Sequence, residues 1–166
     1  MGQIPPLLLL AIATGVASAP WVGGGNAALD IAAGLLPAVV IHYWALRRAS
    51  VLPVIAVLFS GLCVDVLSGG PFGFWTSVYS FSWVIGLVQR RWATVFWKPG
   101  RWAMFGVAVV ILAGGISAAG AVLGGDIAPA GVLLEASIWL IAGYPLLAAI
   151  LRIGDGTREG RPLESD

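Results

Sequence analysis

The sequence predicts an all-α integral membrane protein, a bundle of about six transmembrane helices. Three observations lead there. Of 166 residues, 59% are hydrophobic and 10% charged, where a soluble domain carries about 25% charged residues. The charges are segregated, so that from Met1 to Leu46 only Asp30 is formally charged. The apolar stretches are separated by short turns rather than by soluble loops.

In chain order the expected spans are Ile4 to Ala19, Ala27 to Leu46, Val51 to Leu67, Phe72 to Val88, Trp102 to Leu123 and Gly131 to Leu151. The first ends in Ala17-Ser18-Ala19, which resembles a signal-peptide cleavage site, but no basic segment precedes it and Pro20 follows it, so a retained helix is expected. Gly23-Gly24-Gly25-Asn26 turns the chain into the second span, which contains Pro37 and ends at Arg47-Arg48. The third ends in Ser68-Gly69-Gly70-Pro71, and the fourth in Arg90-Arg91. Trp97 to Gly100 and Gly124 to Pro129 bound the fifth, and Pro145 interrupts the sixth. Residues 1–153 are expected to form one membrane domain, with 154–166 a polar, disordered cytoplasmic tail.

The nine basic residues set the expected orientation, because positive side chains near span ends stay on the cytoplasmic side. Arg47 and Arg48 follow span two. Arg90, Arg91, Lys98 and Arg101 follow span four, and Arg152, Arg158 and Arg161 follow span six. Every second connection is basic and the others carry no Lys or Arg, which places both termini in the cytoplasm. Trp21, Trp75, Trp92, Trp97 and Trp102 lie near span ends, where an amphipathic ring suits the headgroups. A net charge of +1 without a basic, aromatic-interleaved stripe sets nucleic-acid binding aside.

An ionisable residue inside a span is a functional hypothesis, and Asp65 is the sharpest one. Gly61, Asp65 and Ser68 share a helical face, so a second helix can approach at the glycine while the carboxylate and hydroxyl bond across the contact. An interhelical clamp and a proton or ion site are the two readings; the clamp is preferred, since no buried partner charge is evident. Asp30 and Glu135 are expected to cap spans two and six, and His42 to reach interfacial water. Cys63 reads as packing. Gly120 with Gly124, and Ser117 with Ala121, form small-residue strips expected to pack inside the bundle. One His and one Cys make no metal set, and no catalytic triad, Walker loop or zinc-protease motif occurs, so no enzyme, cofactor or metal is expected.

The stretch VLFSGLCVDVLSGGPFGFWTSVYSFSWVIGLVQRR, Val57 to Arg91, resembles the rod shape-determining protein MreD family of bacteria. There a glycine-bearing helix ends in an aspartate and a Ser-Gly-x-Pro-x-Gly turn, and the next helix ends in arginines. Gly61, Asp65, Ser68, Gly69, Pro71, Gly73, Arg90 and Arg91 occupy those positions here. The resemblance implies a non-enzymatic, multi-pass inner-membrane subunit of the cell-elongation machinery, acting in assembly and regulation with MreC, MreB, RodA and a penicillin-binding transpeptidase. It also implies a fold like that of the substrate-binding subunits of energy-coupling-factor transporters. The alternative is a small-molecule-binding transporter subunit with a pocket lined by Asp65, Trp75, Tyr79 or Trp139. A proton-coupled carrier using Asp65 is a third reading.

Overall fold

The computed structural model describes residues 6–19, 25–69, 71–93, 98–123 and 129–155. The regular elements are α1 (Pro6–Ala17), α2 (Ala27–Arg48), a 3-10 turn (Ala49–Val51), α3 (Val54–Ser68), α4 (Phe74–Ala93), α5 (Lys98–Leu123) and α6 (Ala130–Asp155), with no strand among the described residues. The tail beyond Asp155, Trp21, Trp97 and Gly124 lie outside the described residues.

α2 is the axis of the bundle. It packs against α1, α4 and α6, and every residue from Pro37 to Leu46 is buried. A helix apolar on most sides lies in a protein core or in lipid, and this stretch is enclosed by its neighbours. α3 lies outside it against α4 and α1, and α5 joins α4 to α6.

Three helices are long and apolar enough to cross a membrane: Ala27–Arg48, Trp102–Ala121 and Ala130–Arg152. The six full spans expected from the sequence are not all of that kind. α1 and α3, at 12 and 15 residues, are shorter than the roughly 20 residues that cross a hydrocarbon core. α4 has 20 residues but combines Arg90 and Arg91 with Thr76, Ser77, Ser80, Ser82 and Gln89.

Most of these polar groups in α4 are spent on backbone carbonyls or on neighbouring helices. Ser77 Oγ and Ser80 Oγ each donate to their own helix, to Gly73 O and Thr76 O, at 2.7 Å. Ser82 Oγ donates to Ala38 O, and the Tyr79 hydroxyl donates to Gly34 O, each at 2.7 Å. Both acceptors belong to the part of α2 around Pro37, which has no N–H to give the helix. Gln89 Nε2 donates to Met104 O at 3.0 Å, and its Oε1 lies 2.8 Å from His42 Nε2, which makes the ring nitrogen the donor. His42 does not reach interfacial water. It is 1% exposed, with its ring edge-on to Phe105 at 5.7 Å.

A second proline is compensated across a helix pair. Pro145 cannot donate to the carbonyl four residues earlier, that of Ile141. The Trp102 indole N–H on α5 donates to Ile141 O at 2.9 Å and fills that vacancy. Trp102 is 46% exposed near the start of α5, and its polar handle is a clasp between α5 and α6. Phe105 and Tyr144 stack next to it at 4.1 Å.

Close approach falls at Gly61, as the sequence leads one to expect, and also at Gly34. A Cβ on Gly61 would meet the Thr76 backbone, and one on Gly34 would meet the Trp75 ring, so α3 and α2 close on α4 at those two points. In the glycine-rich part of α5, by contrast, Ile116 and Gly120 are buried while Gly114, Gly115, Ser117 and Ala121 are exposed. A Cβ on Gly114 or Gly115 would meet nothing within 4 Å, and Ser117 bonds to Ala113 O of its own helix. Internal packing therefore accounts for one side of this strip only.

Two substitutions separate these cases. Gly61→Ala is expected to cost about 1–3 kcal/mol by forcing α3 off α4, while Gly114→Ala stays within about 0.5 kcal/mol of wild type; thermal unfolding in detergent reads both. For the clasp, Trp102→Phe is expected to cost about 1 kcal/mol in the native chain and much less in a Pro145→Ala background, where residue 145 regains its N–H. A double-mutant cycle with additive effects would sink the assignment.

Candidate functional site

The motif residues between Gly61 and Gly73 meet at the junction of α3 and α4. α3 ends at Gly69 in the left-handed conformation, φ 65°, which a side chain disfavours and which is a common way to stop a helix. Pro71 then starts a short bend, and Pro71 O accepts the Phe74 N–H at 3.1 Å. Gly73, at φ 88°, immediately precedes α4. A residue there normally caps the new helix with a side-chain oxygen, and glycine has none.

Asp65 supplies that oxygen from the preceding helix. Its Oδ1 accepts the Trp75 N–H at 2.7 Å. Its Oδ2 accepts the Gly73 N–H at 3.0 Å, the Thr76 N–H at 3.2 Å and the Thr76 hydroxyl at 2.7 Å. These are the donors left without intrahelical partners in the first turn of α4, and the positive end of its dipole favours the same negative charge. Asp65 is 2% exposed. Four donors converge on the carboxylate, three on Oδ2 and one on Oδ1.

Gly61 and Asp65 are one turn apart on the buried face of α3, where the glycine admits Thr76 close enough for its hydroxyl and amide to reach the carboxylate. Ser68 does not share that face. It is exposed, as are Gly69 and Pro71. Arg90 and Arg91 lie at the far end of α4, exposed in its last turn, where cations complement the helix dipole. They do not converge with Asp65. Of the residues expected to line a pocket, Asp65, Trp75 and Tyr79 lie together, with the Trp75 N–H on Asp65 and the Trp75 ring 5.9 Å from that of Tyr79, but Asp65 and Tyr79 are buried in packing and Trp139 is 57% exposed on α6; Trp75 borders a cavity.

That cavity, about 380 Å³, lies between α1, α2, α3 and α4 and includes Ser18, Asp30, Ser68 and Trp75. Asp30 is exposed at its wall and stands in the first turn of α2, where its charge complements the helix dipole as expected, but it is not the hydrogen-bonding cap. Asn26 is, its Oδ1 accepting the amides of Ala28 at 2.9 Å and Leu29 at 3.3 Å. Glu135 is no cap of α6: the first turn of that helix carries no acidic residue. A separate apolar groove of about 200 Å³ runs between α4 and α5, with Phe74, Phe81, Ile111 and Gly115 in its walls. No group of three His, Cys, Asp or Glu side chains placed to hold a metal occurs among the described residues.

Sequence reasoning missed Thr76 and the role of Trp75. Both were legible in principle, since they stand two and three residues after a glycine that cannot cap its own helix. It also missed the Thr14–Ser60 hydroxyl contact, 2.6 Å, that joins α1 to α3; nothing in the local pattern of either residue indicates its partner.

Asp65→Ala is expected to leave three α4 amides and one hydroxyl unpaired and to lower stability by about 2–4 kcal/mol, and Thr76→Val by about 1 kcal/mol. Thermal unfolding in detergent measures both, and the double mutant should cost less than the sum because the two residues share a bond.

Compared with known proteins, the chain matched no family model, no characterised protein and no solved structure.

Proposed function

We propose that the chain is a non-enzymatic subunit of the bacterial cell-elongation complex, similar to the MreD family, that assembles and regulates the peptidoglycan-synthesis machinery from the inner membrane. On this reading it binds MreC and through it MreB, RodA and a penicillin-binding transpeptidase. All six helices enter the bilayer and both termini are cytoplasmic.

The observation that carries the reading is the use made of the motif. Gly61, Asp65, Gly69 and Gly73 are spent on one rigid hairpin, with the carboxylate turned inward on four donors, which is what a packing scaffold needs from these residue types. The basic residues favour the orientation. Arg47 and Arg48, Arg90 and Arg91, and Arg152 all fall in the last turns of even-numbered helices. α4 can accompany the apolar helices through the bilayer because its hydroxyls are bonded, leaving little polar surface to desolvate. α1 and α3 fit a bundle that locally thins the bilayer around short helices.

A second reading rests on the cavity of about 380 Å³. An acidic side chain, two hydroxyls and an indole around an open hollow suit a small ligand with a cationic group, as a transporter's binding subunit would hold.

Affinity purification of the tagged protein from its native membrane in mild detergent, with mass spectrometry of retained proteins and small molecules, separates the two. The scaffold reading expects MreC, RodA or the transpeptidase, in reduced yield from Asp65→Ala. Recovery of an ATPase pair with a bound small ligand instead would replace it with the transporter reading.

A further inference from the structure

α6 carries a charge where the bilayer offers it no partner. The helix is one of the three apolar enough to span, yet Glu135 is exposed on it with no hydrogen bond or ion pair to any described residue. At 1.5 Å per residue it lies about 8 Å along the helix from Ala130, beyond the first turn that a helix dipole serves. The residues around it are those of a lipid-facing surface: Leu134, Ile138 and Trp139 are each 57–63% exposed. A carboxylate in such surroundings is costly and marks a partner or a pathway. No pathway reaches it, since α6 buries the opposite side, with Leu133, Ala136, Leu140 and Tyr144 in the core.

The same strip continues inward at seven-residue spacing. Ala142 and Ala149 follow Glu135 by one and two heptads, and both are exposed. Ile138 lies between Glu135 and Ala142, and is exposed too. Small residues at that period let a second helix approach closely, and a polar side chain at one end fixes its register.

We propose that this face of α6 is the docking seam for one membrane-spanning helix of a partner protein, which presents a Lys or Arg side chain to Glu135 and packs over Ala142 and Ala149. Charge complementarity selects the occupant. Lipid tails offer nothing to the carboxylate, and a second copy of this chain seated symmetrically would bring a second Glu135 to the first. The proposal deepens the scaffold reading by naming the surface and the chemistry of the partner helix, and rests on that reading for the partner's identity and for α6 crossing the bilayer.

The test is photo-crosslinking in native membranes from a benzophenone amino acid at position 138 in the full chain, with the crosslinked peptide sequenced. The expected product is one membrane-spanning peptide containing Lys or Arg. Its yield should fall at least fivefold in Glu135→Ala and in Ala142→Phe, survive in Glu135→Asp, and return in Glu135→Lys when the partner's basic residue becomes Glu. Crosslinking only to lipid or to a second copy, to a helix without a basic residue, or at unchanged yield in Glu135→Ala would overturn the seam. So would a large fall in melting temperature of Glu135→Ala in detergent, because Glu135 would then be serving the bundle. A basic helix from a protein outside the elongation complex would keep the seam and remove the functional reading. Unchanged recovery of elongation partners with Glu135→Ala would do the reverse.

Discussion

A helix that begins inside apolar surroundings must find acceptors for its first N–H groups, and α4 finds them on the helix before it. Asp65 takes the Gly73, Trp75 and Thr76 amides together with the Thr76 hydroxyl. Much of the arrangement follows from that bond set. The carboxylate can reach α4 only if α3 lies nearly in contact with it, so Gly61 faces Thr76. The chain can turn back sharply enough only with glycines at 69 and 73, both in the positive-φ region. With its start held, α4 lies along α2, where Trp75 covers Gly34 and Tyr79 and Ser82 donate to the Gly34 and Ala38 carbonyls.

The same rule, that no backbone group is left alone away from water, explains the α5–α6 pair. Pro145 removes a donor from α6, and the Trp102 indole restores one from α5. A hydrogen bond of this kind ties the helices at a defined height, which apolar packing alone does not do. Glu135 stands outside this economy. It is exposed on an apolar face of α6, beside Leu134, Ile138 and Trp139. Asp65, by contrast, is bonded, and Asp30 borders an open cavity.

The residues that resemble the MreD motif divide by the work they do. Gly61, Asp65, Gly69 and Gly73 shape the hairpin, whereas Ser68 and Pro71 are exposed on its tip, and Arg90 and Arg91 are exposed one helix length away. The motif is therefore not a single site. Its buried half holds two helices together, and its exposed parts lie at opposite ends of α4.

Composition and periodicity determined by themselves that the chain is helical and apolar, where its six helices lie to within a few residues, and that Asp65 was the polar residue most in need of an explanation. These are local properties, set by side-chain hydropathy and turn chemistry along the chain. Tertiary structure alone decided which groups meet. The pairing of Asp65 with Thr76, His42 with Gln89, Thr14 with Ser60 and Trp102 with Ile141 joins residues 11 to 47 positions apart. It also added Gly34 to Gly61 as a point of close approach, left much of the α5 glycine strip exposed, and moved Glu135 and His42 from the roles their positions suggested. Such pairings depend on the rotation and height of each helix against its neighbours, and a hydropathy pattern constrains only which face is apolar.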